Sequence, residues 1–148
     1  MTMRDAANSM LVKRAISPQQ AADNTPRISQ IIDRQGFNSL TFVILTGALT
    51  DADATFTTLL EESDLPGFVP SNPVSNNDMI SQDPAQLPLA AASFIFSDPD
   101  EVRKVGYVGS KRYTRLTITP ANNTSAANFG AVAILERPAL TPVVQTQS

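Results

Sequence analysis

Ser39-Leu40-Thr41-Phe42-Val43-Ile44-Leu45-Thr46 is the most apolar stretch of the chain, and its alternation decides the fold class. Leu40, Phe42 and Ile44 recur at every second position, and Val43 and Leu45 fill the positions between. A period of two is that of a β-strand, in which successive side chains point to opposite faces. Apolar residues on both faces predict a central strand covered on both sides.

Outward from this stretch, other short runs rich in Val, Ile, Phe, Leu and Thr are separated by Gly, Pro, Asn and Asp. Ser9–Ile16 sets Met10, Val12 and Arg14 on one side, and Arg27–Asp33 holds Ile28, Ile31 and Ile32. Thr55–Glu62 offers Phe56 and Leu60 to a core, and Ala92–Ser97 is short. Val102–Val108 and Lys111–Thr119 flank Gly109-Ser110, a pair suited to a two-residue hairpin turn. Leu116 and Ile118 share one face of the second run, and Tyr113, Arg115 and Thr117 share the other. Phe129–Glu136 closes the set with Val132 and Ile134 together. About eight strands predict an all-β chain folded as a single antiparallel β-sandwich. Ala and Leu gather in Asp83–Ala92, where Pro84 and Pro88 keep any helix short.

The core is expected over residues 27–136. Residues 1–26 read as an N-terminal arm with a possible edge strand, and residues 137–148 as a C-terminal tail with Pro138 and Pro142. Both ends hold little apolar surface of their own, so ordering them is expected to depend on docking to something. Between Pro66 and Pro88 lies a proline-rich excursion, too long for a hairpin loop.

The 148 residues include no Cys, His or Trp. Disulfides, zinc sites built on Cys or His, and Ser-His or Cys-His dyads are thereby excluded. The net charge of −3 argues against a nucleic-acid partner, which calls for a positive surplus. No run reaches the ~20 apolar residues of a membrane-spanning helix. MTMRDAANSMLVKR lacks the apolar run of a signal peptide, so the chain is expected to be soluble and not exported by the general secretory route.

Three side-chain groups could carry chemistry. Asp51, Asp53 and Glu62 stand at the first, third and twelfth positions of a calcium loop, but Phe56 occupies the sixth, where glycine makes the turn. The alternative is a turn in which Asp51 caps its own backbone. Lys104, Lys111, Arg112 and Arg115 surround Gly109 with Tyr107 and Tyr113 between them, next to Asp98, Asp100 and Glu101. Three readings fit that group: a solvated face, a protein contact, or a nucleic-acid patch. Glu61, Glu62 and Asp64 are the one close carboxylate group, yet neighbours on a strand point to opposite faces and do not converge on one substrate. Phosphate loops and the G-x-S-x-G elbow are missing from the sequence.

DRQGFNSLTFVILTGALTDADATFTTLLEESD and KVGYVGSKRYTRLTITPANNTSAANFGAVAILERP together resemble small virion structural proteins of tailed bacteriophages. The likeness runs from Ile28 to Pro138, and the Pro66–Pro88 insertion departs from it. It implies a capsid decoration or minor capsid protein, made in the bacterial cytoplasm and carried on the head surface. The implied partners are the major capsid protein and further copies of the chain, as a trimer, with no enzymatic activity, cofactor, metal, nucleic acid, membrane or small-molecule substrate. A head–tail connector or tail component is one alternative. A host-surface or glycan-binding module is another, and it needs an exposed aromatic platform. On this reading the contacts come from Met1–Ile16, the excursion and Pro138–Ser148, with Met10, Val12, Arg14, Pro70, Pro73, Lys111, Arg112, Tyr113, Pro142 and Val143 as interface residues. Deleting residues 1–16 is expected to weaken head binding and leave the domain folded.

Overall fold

A computed structural model describes residues 4–148, so Met1, Thr2 and Met3 of the expected arm contact lie outside the described residues. The chain is a sandwich of two antiparallel sheets. Its strands are β1 (Met10–Ala21), β2 (Arg27–Ile28), β3 (Ile32–Asp33), β4 (Phe37–Leu49), β5 (Thr55–Ser63), β6 (Asn72–Pro73), β7 (Met79–Ser81), β8 (Phe94–Ile95), β9 (Val102–Tyr107), β10 (Tyr113–Ala121) and β11 (Ala127–Pro138), with one helix, α1 (Pro88–Ala92). There are eleven strands among the described residues instead of eight. Arg27–Asp33 splits in two, and the proline-rich excursion supplies β6 and β7. Pro88 stands at the start of α1, where a missing N–H costs nothing.

One sheet has the order β1-β11-β4-β9-β7. In the other, β10 and β5 lie side by side, with β2 and β3 on the outer side of β10 and β6 and β8 on that of β5. Leu40, Phe42 and Ile44 point inward with Ala131, Ala133 and Leu135, against Phe56, Leu60, Leu116 and Ile118. Phe56 stacks on Phe94 at 4.7 Å, and Phe129 meets both rings edge-on at 5.6 and 5.7 Å. Such pairs add to the area they bury.

Four expectations change. β4 is central in its sheet, but only one of its faces is covered: Leu45 is 47% exposed and Val43 half-buried. Gly109-Ser110 does not close a hairpin. β9 already has β4 and β7 as neighbours, and β10 has β5 and the β2/β3 pair, so neither has a free edge for the other. The chain instead steps from one sheet to the other. Arg34 fastens this crossing by donating to the carbonyls of Lys111 (2.5 Å) and Gly109 (3.2 Å).

Much of the N-terminal arm is sheet. β1 pairs with β11 from Met10 to Ala21 and places Leu11, Ala15 and Ile16 in the core. Met10–Ile16 are therefore part of the sheet and contribute to the core. The tail lies along β1: the Val143 N–H donates to Asn8 (2.9 Å), and the Gln145 amide pairs with both backbone groups of Val12 (3.1 and 2.7 Å).

The excursion is knitted into its own domain. β6 pairs with β5, β7 joins β9, and Phe68 is buried beneath the Arg115 guanidinium at 4.6 Å. Pro70 and Pro73 remain exposed. Among the described residues, no helix is long and apolar enough to cross a membrane.

Candidate functional site

The carboxylates read as possible catalytic groups are all held in pairs. Glu61 accepts from Arg115 on the neighbouring strand at 3.0 Å. Glu62 accepts the Tyr107 hydroxyl, from the opposite sheet, at 2.6 Å. Lys111 caps Asp64 at 2.6 Å. Glu61 and Glu62 thus have different partners in different sheets. Burial first, and then the bond to Glu62, pushes the Tyr107 phenol well above its ordinary range.

At the far end of β5, Asp51 is buried and acts as a turn clamp. One oxygen accepts the Thr124 N–H (2.8 Å), the Thr124 hydroxyl (3.2 Å) and the Ser125 N–H (3.1 Å). The other accepts the Asp53 N–H at 3.1 Å. The N–H of Thr124, followed by that of Asp53, holds this carboxyl far below the usual carboxylate range. Glu62 lies seven strand residues beyond Thr55, roughly 23 Å along β5, so the calcium-loop spacing does not become a cluster. No set of three metal-ligating side chains occurs among the described residues.

The basic group around Gly109 is divided. Arg112 forks onto Asp33 with two bonds of 2.8 Å and stands 5.0 Å from the Tyr113 ring centre. Lys111 and Arg115 are engaged as above. Lys104 alone faces away, on the outer side of β9, with no ion-pair partner among the described residues. Tyr107 and Tyr113 are both buried, so neither presents a ring for stacking.

The outer face of the five-stranded sheet is a surface these bonds leave open. Register sets Arg14 opposite Val132, Val132 opposite Val43, and Val43 opposite Lys104. The next row is Val12, Ile134, Thr41 and Gly106, and on the other side Gly130, Leu45 and Val102 align. Val102 is 65% exposed. Arg14, like Lys104, has no ion-pair partner among the described residues. β1 shifts register on either side of Ile16, and Pro18 rides over Gly130, where a Cβ would stand 3.0 Å from the Pro18 Cα. The curled strand walls a groove of ≈ 580 Å³ lined by Arg14, Pro18, Gln19, Leu45, Asn128 and Val132. A second hollow of ≈ 440 Å³ lies toward Ile80, Lys104 and Gly106.

The expected interface residues fall in separate places. Met10, Val12 and Arg14 face outward on β1, beside the tail that holds Pro142 and Val143. Lys111, Arg112 and Tyr113 sit at the crossing between sheets, and Pro73 pairs with Glu61 at the edge of the second sheet. Leu45 and Val102 were not expected on a contact surface. For Leu45 the signal is the second apolar face of the opening stretch; Val102 joins it only through the pairing of β9 with β4.

No family model matches the chain, and no curated protein does. Among solved structures, the CBM22-1 and GH10 modules of the N-terminal endo-1,4-β-D-xylanase 10B of Clostridium thermocellum, complexed with xylohexaose, are similar at 10% identity and a TM-score of 0.43. That match covers 93% of this chain and 28% of the xylanase chain. Dimeric latent PorU from Porphyromonas gingivalis is similar at 12% identity and a TM-score of 0.42, over 88% of this chain and 13% of the other.

Proposed function

We propose that this chain is a non-enzymatic structural protein of a tailed-phage virion, one that coats the outer face of the head and binds the major capsid protein. One observation carries the reading. The polar residues of the two phage-like segments are spent on each other: Asp51 of TDADAT holds Thr124 and Ser125 of TPANNTS, and Glu62 and Asp64 of EESD hold Tyr107 and Lys111 of KVGYVGSK. Side chains used in this way fasten two sheets into a rigid plate, and a plate with an open apolar face suits adhesion. Copies linked by several modest contacts hold together through their number.

The test is to add the purified chain to heads lacking it and locate the bound copies by electron microscopy. Copies spread over the whole shell support the reading. Copies confined to the neck or tail favour the connector alternative, and bare particles overturn both.

A further inference from the structure

We infer that the outer face of the five-stranded sheet is the surface that meets the shell, and that it receives a protein segment bearing aliphatic and carboxylate side chains. The inference rests on the reading of the chain as a head protein and names the face and the chemistry of its partner.

Val43, Leu45, Val132 and Ile134 alternate outward with the same regularity that packs Leu40, Phe42, Ile44, Ala131, Ala133 and Leu135 inward. One strand of a sandwich that faces only water on its outer side is expected to read polar there. The middle of this face reads aliphatic, between Ser39, Thr41 and Glu136 toward one end and Asn128 toward the other, which marks a surface that is covered in use.

Charge points the same way. A chain with a net charge of −3 places two cations, Arg14 and Lys104, at the two ends of the Val132–Val43 row. Three interstrand spacings separate them, roughly 14 Å. The other cations near β9 and β10 are neutralised within the chain: Arg103, Lys111, Arg112 and Arg115 all touch carboxylates. Two cations left unpaired beside an apolar floor complement carboxylates from outside.

Shape and chemistry choose among occupants. The floor is aliphatic, and the tyrosines that could stack on a sugar are buried. A second copy docked face to face would set hollow against hollow. With its two-fold axis along the strands it would also bring Arg14 against Lys104. A protruding segment of another protein fills a groove that another hollow leaves empty.

The experiment measures binding to heads lacking the protein for three forms: wild type, the double variant Arg14→Glu/Lys104→Glu, and Leu59→Glu on the outer face of the opposite sheet. Circular dichroism and urea unfolding first establish that each is folded. The double variant is expected to bind at least about tenfold more weakly, and Leu59→Glu to bind as wild type does. Wild-type binding is expected to weaken with salt, and the residual binding of the double variant to depend on it less. Wild-type affinity in the folded double variant overturns the inference while the function stands. Loss confined to Leu59→Glu transfers the contact to the other sheet and overturns it equally. Wild-type protein that leaves the heads bare overturns the functional reading and the inference together.

Discussion

The Tyr107 hydroxyl donates to Glu62 at 2.6 Å and accepts the Lys111 N–H at 3.0 Å, so one phenol ties β9 in one sheet to β5 in the other and fixes the turn that leads to β10. Tyr107→Phe keeps the ring and removes the tie. Glu62 and the Lys111 N–H then lose their partner in a partly buried site, a loss of about 1–3 kcal/mol. Urea unfolding of the variant, at unchanged m-value, checks the expectation.

The same phenol gives an alkaline prediction. Its value in the folded chain is raised above 10, so the folded state holds the proton more tightly than the unfolded one. The contribution is whole below pH 10 and is lost as the pH rises beyond it. Wild-type stability is expected to fall more steeply above pH 10 than that of Tyr107→Phe, measured as urea midpoints across that range.

Asp51 gives the acid counterpart. Its value is lowered by the N–H groups of Thr124 and Asp53, so the unfolded chain takes up a proton before the folded one does. The contribution is present above about pH 4, the ordinary aspartate value, and declines as the pH falls below it. Asp51→Ala is expected to lower the urea midpoint at pH 7 and to flatten the acid limb of the stability curve. Wild-type steepness in that limb would exclude Asp51 as the clamp.

How far the sequence could be read varies with the element. The alternation of Leu40, Phe42 and Ile44 gave β4 and its inward face, because a strand buried on one side is a local pattern. The same alternation in Val43 and Leu45 shows a second apolar face, but the chain leaves that face uncovered, since covering depends on partners outside the strand. The polar run Ser17-Pro18-Gln19-Gln20 carries no strand signal, yet it extends β1. It is an edge strand, where the missing N–H of proline is tolerated, and its pairing is set by β11. The pairing of β9 with β4, not β10, was hidden for a similar reason: Gly109-Ser110 is a sound hairpin sequence, but each flanking strand found its neighbours elsewhere. Arg14 and Lys104 lie far apart in sequence, and only the strand order β1-β11-β4-β9 brings them to the ends of one row.

The close approach of Pro18 to Gly130 makes a packing prediction. A Cβ on residue 130 would stand 3.0 Å from the Pro18 Cα, 3.1 Å from its nitrogen and 3.2 Å from the Ile16 carbonyl oxygen. All three are backbone atoms and cannot swing aside. Gly130→Ala is expected to cost about 1–3 kcal/mol as overpacking and to lift the second half of β1 off β11. Hydrogen exchange should quicken at Gln19–Ala21 before it does in β4.

Removing residues 1–16 differs in kind from trimming a loose arm. The deletion takes Leu11 and Ile16 from the core, each worth about 1.5–3 kcal/mol of burial, and bares the edge of β11. An open edge strand pairs with other chains. The truncated protein is expected to aggregate or unfold in sedimentation and circular dichroism, so lost head binding in that variant would report lost structure.

The tail can be released more selectively. Gln145 is a side chain standing in for a strand: its amide oxygen accepts the Val12 N–H at 3.1 Å, and its amide nitrogen donates to the Val12 carbonyl at 2.7 Å. Nearby Val144 is 80% exposed and adds little burial to hold the segment. Gln145→Ala therefore removes a clamp and leaves the core untouched. Global stability is expected to change by no more than about 0.5 kcal/mol, as for other surface substitutions. The Val12 amide should nevertheless exchange with solvent faster, while the amides of β4 keep their wild-type protection. Unchanged exchange at Val12 would show that the tail is held by its backbone bond from Val143 to Asn8 and not by the glutamine.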